Sequence, residues 1–286
     1  MGGGRLVSPE KNLDGTLDEE GMTMITTDFV NGAPNWLDLG TPDLDGAIAF
    51  YDGLFGWTFR SAGPEYGGYG TFHLDGKAVA GGMTVTADQG SPAWSIYFKT
   101  ADADATAKAV EQAGGTAHLQ PMDVGDLGRM AILADPAGAT FGIWQPGVHR
   151  GLEHVTEDGG LNWVELYVPD PAAAKEFYGT VLGWGAFDVE FPGGTYTTVN
   201  PADTDENAMF GGIVPLDADP VEARAGAHWT PYIHVADVDA VADRTQELGG
   251  TVRLAPVNIP GVGRIAKLAD PSGAGFAVLR GDPNQQ

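Results

Sequence analysis

The stretch Asn35-Trp36-Leu37-Asp38-Leu39 occurs a second time, with similar residues, as Asn162-Trp163-Val164-Glu165-Leu166. Self-similarity of this kind indicates two copies of one structural unit. Side chains alternate along a strand, so each stretch predicts one apolar face and one face with an indole beside a carboxylate. The indole and carboxylate indicate a cavity wall that meets a ligand, although a packed Trp beside a solvated acid would give the same pattern.

The composition predicts an acidic, folded protein of two domains. The chain has 286 residues, 43% of them hydrophobic, and a formal net charge of −24. Because nucleic acid and anionic membranes attract clustered positive charge, neither is expected as a partner. The absence of cysteine excludes disulfides, thiolate catalysis and cysteine metal sites. No apolar run approaches the ~20 residues of a membrane span and the start lacks a signal-peptide pattern, so a cytoplasmic location is expected.

Each copy continues with the same series of motifs. These are Phe-Tyr followed by Gly-Trp, a second helix closed by Gly-Gly, and Asp-Pro-x-Gly before the last strand. They begin at Phe50, Gly56, Gly114 and Asp135 in the first copy, and at Phe177, Gly183, Gly249 and Asp270 in the second. Each copy therefore reads strand, helix, three strands, and then the same order again, which is an α+β pattern.

The repeat divides the chain into five parts. The first is a polar segment without hydrophobic periodicity, which predicts a flexible extension. The expected parts are the extension 1–28, a first domain 29–148, a linker 149–160, a second domain 161–281 and a tail 282–286.

These motifs resemble the vicinal oxygen chelate superfamily of glyoxalases, bleomycin-resistance proteins and extradiol dioxygenases. The likeness is greatest to actinobacterial two-domain glyoxalase-like proteins, and some related proteins belong to aromatic polyketide pathways. The resemblance implies that each domain contains two βαβββ units, which form an eight-stranded half-open barrel around a cavity. It also implies that the first, fifth and eighth strands carry metal ligands, typically His or Gln, His, and Glu.

Carried over to this chain, the three ligand positions fall on residues that are not usual metal ligands. They are Trp36, Ser95 and Gly142 in the first copy, and Trp163, Thr230 and Ala277 in the second. A divalent ion needs N, O or S donors at about 2 Å, and indole, glycine and alanine supply none. We therefore expect no metal and no other cofactor, with His228, His234 and Glu165 as the ligands if a metal does bind.

The fifth strand of each copy also has a polar face. That face carries Ser95, Tyr97 and Lys99, or Thr230, Tyr232 and His234. The resemblance places the first and fifth strands side by side across the cavity floor, which predicts that Asp38 meets Lys99 and that Glu165 meets His234. Three interpretations of such a pair stay open. They are a structural ion pair, a polar anchor for a planar ligand stacked on Trp and Tyr, and acid–base catalysis by Glu165 and His234.

The sequence favours a metal-free protein that binds a small, planar, aromatic metabolite in one or both cavities. The resemblance adds an auxiliary or tailoring role in secondary metabolism. One alternative is an enzyme, either an acid–base tailoring enzyme, a lyase, or a dioxygenase- or hydroxylase-like protein. Another is a degenerate scaffold for a protein partner. The candidate ligand-binding residues are Trp36, Asp38, Tyr69, His73, Ser95, Tyr97, Lys99, Trp163, Glu165, Thr230, Tyr232 and His234. We expect a monomer or a homodimer.

Overall fold

The computed structural model describes residues 25–191, 194–205 and 208–282. Most of the predicted extension and of the tail lies outside these ranges. Within the extension, Ile25 is buried in the core. Among the described residues, no helix is both long and apolar enough to span a membrane.

The first copy contains eight strands and two helices in the predicted order. Their bounds are β1 Pro34–Thr41, α1 Leu44–Phe55, β2 Thr58–Ser61, β3 Gly70–Leu74, β4 Lys77–Thr84, β5 Ala93–Lys99, α2 Ala103–Gln112, β6 Thr116–Val124, β7 Gly128–Ala134 and β8 Thr140–Pro146.

The second copy repeats this order of strands and helices. Its elements are β9 Leu161–Val168, α3 Pro171–Leu182, β10 Gly185–Phe191, β11 Gly194–Asn200, β12 Gly211–Pro215, β13 His228–His234, α4 Val238–Glu247, β14 Thr251–Ile259, β15 Gly263–Ala269 and β16 Gly275–Gly281. The predicted α+β fold of paired βαβββ units, forming half-open eight-stranded sheets, is confirmed.

The strand order is the same in the two sheets. The first runs β2-β3-β4-β1-β5-β8-β7-β6, and the second runs β10-β11-β12-β9-β13-β16-β15-β14. β1 pairs antiparallel with β5 and β9 with β13, so the first and fifth strands of each copy do lie side by side. These two strands form the centre of each sheet, where their side chains are farthest from either edge.

Capping residues fix the start of every described α-helix. The side chain of an aspartate accepts a hydrogen bond from a backbone N–H in the first turn of each helix, which satisfies one of the free donors there. These N-caps are Asp43, Asp102, Asp170 and Asp237. The first helix of each copy ends at a glycine in the left-handed region, with φ of 73° at Gly56 and 72° at Gly183, where other residues are strained.

The two domains share one hydrophobic core, because the first helix of each domain packs against the other domain. Tyr51 of α1 is fully buried, and its hydroxyl contacts Asp270 of the second domain at 3.5 Å. Its counterpart Tyr178 of α3 donates to Asp135 of the first domain at 3.2 Å. Both Phe-Tyr pairs are buried, and the core extends across the boundary between domains.

Candidate ligand site

The centre of the first sheet holds a buried carboxylate surrounded by hydrogen-bond donors. The Oδ1 atom of Asp38 accepts from Trp36 Nε1 at 2.9 Å and from the Tyr69 hydroxyl at 2.8 Å. The Tyr97 hydroxyl also interacts with this carboxylate. We call these four residues the first carboxylate cluster. Strand pairing explains the assembly, because Trp36 lies opposite Tyr97, and Asp38 lies opposite Gly81 on its other side.

Burial controls the protonation of the first carboxylate cluster. Removal from water raises the pKa of Asp38, and its hydrogen bonds from Tyr69, Trp36 and Tyr97 lower it again without cancelling the rise. Burial and the neighbouring Asp38 raise the pKa of the Tyr97 hydroxyl well above its usual range. Both tyrosines therefore act as neutral donors toward the acid.

The second sheet builds a larger version of the same arrangement. Glu165 accepts from the hydroxyl of Tyr196 at 2.9 Å through Oε1, and from those of Tyr167 and Tyr232 through Oε2. Trp163 Nε1 donates to the Tyr196 hydroxyl at 2.9 Å, so the indole reaches the acid through a tyrosine. We call these five residues the second carboxylate cluster. Burial, together with Glu165, raises the pKa of each of its three tyrosines well above the usual range.

Glycines on the neighbouring strands make room for these tyrosines. A Cβ atom at Gly81 would lie 2.1 Å from both Asp38 Oδ1 and the Tyr69 hydroxyl, and one at Gly212 would lie 2.0 Å from the Tyr196 hydroxyl. Such distances are far below van der Waals contact. The two glycines are therefore needed for the side chains of Tyr69 and Tyr196 to reach over the neighbouring strand, where their hydroxyls contact the carboxylate.

The predicted pairing of Asp38 with Lys99 is wrong. In the antiparallel register Asp38 lies opposite Ser95, whereas the backbone of Lys99 bonds to Ala33. Five residues of strand separate Ala33 from Asp38, which is about 16 Å. The ammonium group of Lys99 instead donates to the carbonyl oxygen of Phe29 at 2.5 Å.

The predicted pairing of Glu165 with His234 is wrong for the same reason. Glu165 lies opposite Thr230, and the backbone N–H of His234 bonds to Gly160 beyond the start of β9. The register shifts after Tyr232, next to the interior Pro231. Burial lowers the pKa of His234, and Asp158 opposes this shift. The structure therefore separates the two residues proposed for acid–base catalysis.

The other predicted site residues occupy mixed positions. Ser95 and Thr230 lie on the same sheet face as the clusters, each opposite the carboxylate residue of its copy. His73 lies in β3, which begins just after Tyr69, and its Nδ1 atom contacts the carbonyl oxygen of Thr71 at 3.1 Å. The structure thus brings Trp36, Asp38, Tyr69 and Tyr97 together, but it places His73 outside that cluster.

A buried ionic network adjoins the second carboxylate cluster, and the sequence analysis missed it. Lys267, 2% exposed, donates to the Tyr167 hydroxyl at 2.7 Å and forms ion pairs with Asp219 and Glu222. Glu222 also pairs with Arg253 at 2.8 Å and with His228 at 3.2 Å. The available signal was the lysine between Ala266 and Leu268 in strand β15, where the aligned residue of the first copy is Ile132.

The residues at the superfamily's metal-ligand positions do not fit a divalent ion. Trp36 offers an N–H donor and no lone pair to a metal. Gly142 has no side chain, and the ring of Tyr97 occupies the place where a Cβ atom would lie. The carboxylate of Asp38 already receives several hydrogen bonds. Across the described part of the chain, no three His, Asp or Glu side chains gather in a group that could hold a metal. The His228, His234 and Glu165 set is likewise not assembled.

Exposed apolar side chains flank the second carboxylate cluster on the same face of the sheet. The row of paired residues from Glu165 through Gly212 and Thr198 ends at Phe187, which is 40% exposed. Val189, 49% exposed, pairs with Tyr196. Paired residues point to one face of a sheet, so these side chains share the face of Glu165. A polar centre with exposed apolar flanks is typical of a ligand site.

The opposite flank of the second cluster is also apolar. Tyr232, Ala277 and Leu279 form a hydrophobic cluster separate from the main core, with Trp163 and Ile265 packed against it. Strand pairing extends this surface to Val257, which is 37% exposed and lies opposite Ile265. The polar centre is thus enclosed by apolar surface on two sides.

Comparisons with known proteins agree with this architecture. Two relatives are the anthracycline biosynthesis proteins DnrV of Streptomyces peucetius and DauV of Streptomyces sp. (strain C5). Both are 41% identical, over 273 and 276 residues respectively, and in each case the match covers 88% of this chain and 94% of the relative.

A solved structure shows the same fold at low sequence identity. The 2,3-dioxygenase LapB from Pseudomonas sp. KL28 is 14% identical and has a TM-score of 0.60, over 89% of this chain and 94% of that one. The family model of the Glyoxalase/Bleomycin resistance protein/Dioxygenase superfamily matches residues 33–143 and 160–278, one match for each copy. The chain therefore belongs to this superfamily.

Proposed function

We propose that the protein binds a small, planar, aromatic metabolite at one or both carboxylate clusters, without a metal ion. The observation that carries this proposal is the second cluster, where an indole and three phenol hydroxyls surround Glu165 between two exposed apolar flanks. A planar ring can stack on such aromatic and apolar surface, while the polar centre fixes its orientation.

The relatives support a role in secondary metabolism. Both carry names that place them in anthracycline biosynthesis, and anthracyclines contain fused, hydroxylated aromatic rings. A ligand of that chemical type has a planar body and phenol and carbonyl oxygens at its edge. Its hydroxyl groups match a site whose centre accepts hydrogen bonds, and its planar body matches the apolar flanks.

The residues at the superfamily's ligand positions support the metal-free part of the proposal. The indole of Trp36 and the absent side chain of Gly142 offer no lone pair to a divalent ion. In the second copy Trp163 and Ala277 occupy the same two positions. Hydrogen bonds and stacking are then the forces that hold the ligand.

A second candidate function is acid–base catalysis on such a metabolite, centred on Glu165. It is favoured by the hydrogen bonds that link Glu165 through Tyr167 to Lys267, which form a path along which protons can move. Under this function Glu165→Gln would abolish turnover of the bound metabolite and leave its affinity close to normal. Equal loss of both would favour binding alone.

The binding proposal is tested by native mass spectrometry of the full chain with a panel of hydroxyanthraquinones, hydroxynaphthoquinones and flavonoids. We expect at least one of these compounds to form a stoichiometric complex that survives prior dialysis against a chelator. Failure of every compound to bind would overturn the proposal. Binding that disappears with chelation and returns with a divalent metal would overturn its metal-free part.

A further inference from the structure

We propose that the second carboxylate cluster alone takes the ligand, because the chain itself closes the first cluster with His149. This inference rests on the proposed function and names the site at which it operates. It predicts one ligand per chain from a protein that contains two copies of the fold.

His149 occupies the surface of Trp36 that a planar ligand would need. The imidazole and indole planes are perpendicular, with ring centroids 4.4 Å apart and an interplanar angle of 89°. The centroid of the imidazole also lies 5.6 Å from that of the Trp144 ring. Trp144 Nε1 donates to the backbone carbonyl of His149 at 2.9 Å. Because one aromatic ring already packs there, a ligand ring would have to displace it.

The segment that carries His149 is fixed at both ends. On one side the backbone N–H groups of Gly147 and His149 donate to the carbonyl of Leu127, at 2.8 and 3.1 Å. On the other side Leu152 donates to the carbonyl of Asn35 at 2.9 Å, beside Trp36 in β1. We call residues 147–153 the interdomain strap.

Two further contacts hold the interdomain strap against the first sheet. Glu153 exchanges a pair of hydrogen bonds with Ala78 of β4, each 2.8 Å long. Gly151 has a φ of 134°, and a Cβ atom there would lie 2.5 Å from the carbonyl oxygen of Asn35. Only glycine permits so close an approach, so the sequence of the strap is adapted to lie on β1.

Burial differs between the two clusters as this closure requires. Trp36 is 4% exposed and Asp38 is 8% exposed. Their counterparts Trp163 and Glu165 are only half-buried. The first domain also places Arg60 where the second has the exposed Phe187, which removes one apolar flank. The open indole and carboxylate of the second domain are thus available to a ligand.

The chemistry of the second cluster specifies the polar edge of the ligand. Glu165 can accept from a phenol hydroxyl of the ligand, and so can the hydroxyl oxygens of Tyr196 and Tyr232, whose own protons go to Glu165. A planar ring that carries hydroxyl groups can donate to these acceptors, and 1,4-dihydroxyanthraquinone is a simple compound of this class.

The test counts ligands and compares matched variants of the two copies. Native mass spectrometry with 1,4-dihydroxyanthraquinone is expected to show one ligand bound to each wild-type chain. Fluorescence titration is expected to show that Trp163→Ala weakens binding about tenfold or more, whereas Trp36→Ala leaves the affinity within about twofold. Circular dichroism checks that each variant is folded.

A second matched pair covers the case in which a tryptophan variant fails to fold. Glu165→Gln is expected to weaken binding and Asp38→Asn to leave it unchanged. His149→Ala removes the ring that covers Trp36, so it is expected to allow a second ligand to bind. Two ligands on the wild-type chain, or greater loss from the first-copy variants, would overturn the inference while leaving the binding proposal intact. No complex with the wild-type chain would overturn both the inference and its choice of ligand.

Discussion

The two carboxylate clusters share a backbone frame but differ in size, charge and exposure. Asp38 is surrounded by Trp36, Tyr69 and Tyr97, and His149 of the interdomain strap packs against Trp36. Glu165, with a side chain one methylene longer, meets three tyrosines and is half-buried. The strand register therefore fixes where a carboxylate lies, and the residues around it decide whether it is covered or accessible to a ligand.

Two substitutions between the copies account for much of this difference. Tyr167 stands where the first copy has Gly40, and Lys267 stands where it has Ile132. The tyrosine adds a third hydroxyl to the carboxylate, and the lysine lies 4.3 Å from the centre of its ring. The longer loop before β13 then supplies Asp219 and Glu222, which compensate the buried charge of Lys267.

Replacing Lys267 should have the largest effect on stability. Lys267→Met leaves Asp219 without its buried cation and weakens the compensation of Glu222, so we expect a loss of about 4 kcal/mol in the free energy of unfolding. The matched variant Ile132→Met changes only the shape of an apolar side chain and should cost about 1 kcal/mol or less. Urea denaturation of both variants measures the difference. Equal costs would show that the ionic network does not distinguish the two domains.

Acid should reveal the same network through Glu222. Burial opposes its ionisation, but His228, Lys267 and Arg253 outweigh burial and lower the pKa of Glu222 to about 2. Because this pKa is depressed from an ordinary value of 4.5, the ionised group stabilises the fold above about pH 4.5. That stability is lost as the pH falls toward 2 and amounts to about 3 kcal/mol.

The measurement for Glu222 is the free energy of unfolding at several pH values, for the wild type and for Glu222→Gln. The wild type should be the more stable protein at pH 6, and its advantage should shrink steadily between pH 4.5 and pH 2. Asp104→Asn serves as a control, since Asp104 is an exposed partner of Arg129 in the first domain. An advantage that does not change with pH would contradict the depressed pKa.

The fold was predictable because its determinants are local and occur twice. Short-range structure is encoded by the Phe-Tyr and Gly-Trp motifs, the aspartate caps and Asp-Pro-x-Gly. Each occurs in both copies, so the second occurrence supports the interpretation of the first. The side of the central strand on which Trp36, Asp38, Trp163 and Glu165 lie followed from alternation alone. The sequence did not reveal that the Phe-Tyr motif of each copy packs into the other domain, because periodicity does not identify which surface covers a helix.

The partners of the carboxylates were not predictable from alternation alone. Alternation assigns a side chain to a face, but the residue across the strand depends on the register, which places Ser95 rather than Lys99 opposite Asp38. Tyr196 reaches Glu165 only because Gly212 leaves space between them. Lys267 approaches from β15, two strands away from β13. Such contacts depend on the assembled sheet and have no short-range signature.

The smallest predicted effects concern the part of the molecule where the two copies are alike. The hydroxyl of Tyr178 donates to Asp135 and accepts from Trp229 Nε1 at 3.2 Å, and that of Tyr51 contacts Asp270 and accepts from Trp94 Nε1 at 3.0 Å. Each phenylalanine replacement leaves a buried indole N–H and a buried carboxylate short of one partner.

We therefore expect Tyr51→Phe and Tyr178→Phe each to cost about 1 to 2 kcal/mol in the free energy of unfolding, measured by urea denaturation. Because the hydrophobic core that the two domains share remains in each variant, each should still unfold in a single transition. Unequal costs would show that the asymmetry of the ligand face extends into the shared core. Two separate transitions would show that the domains are less interdependent than their common hydrophobic core indicates. Equal costs and one transition would confine the difference between the copies to the sheet face that bears the carboxylates.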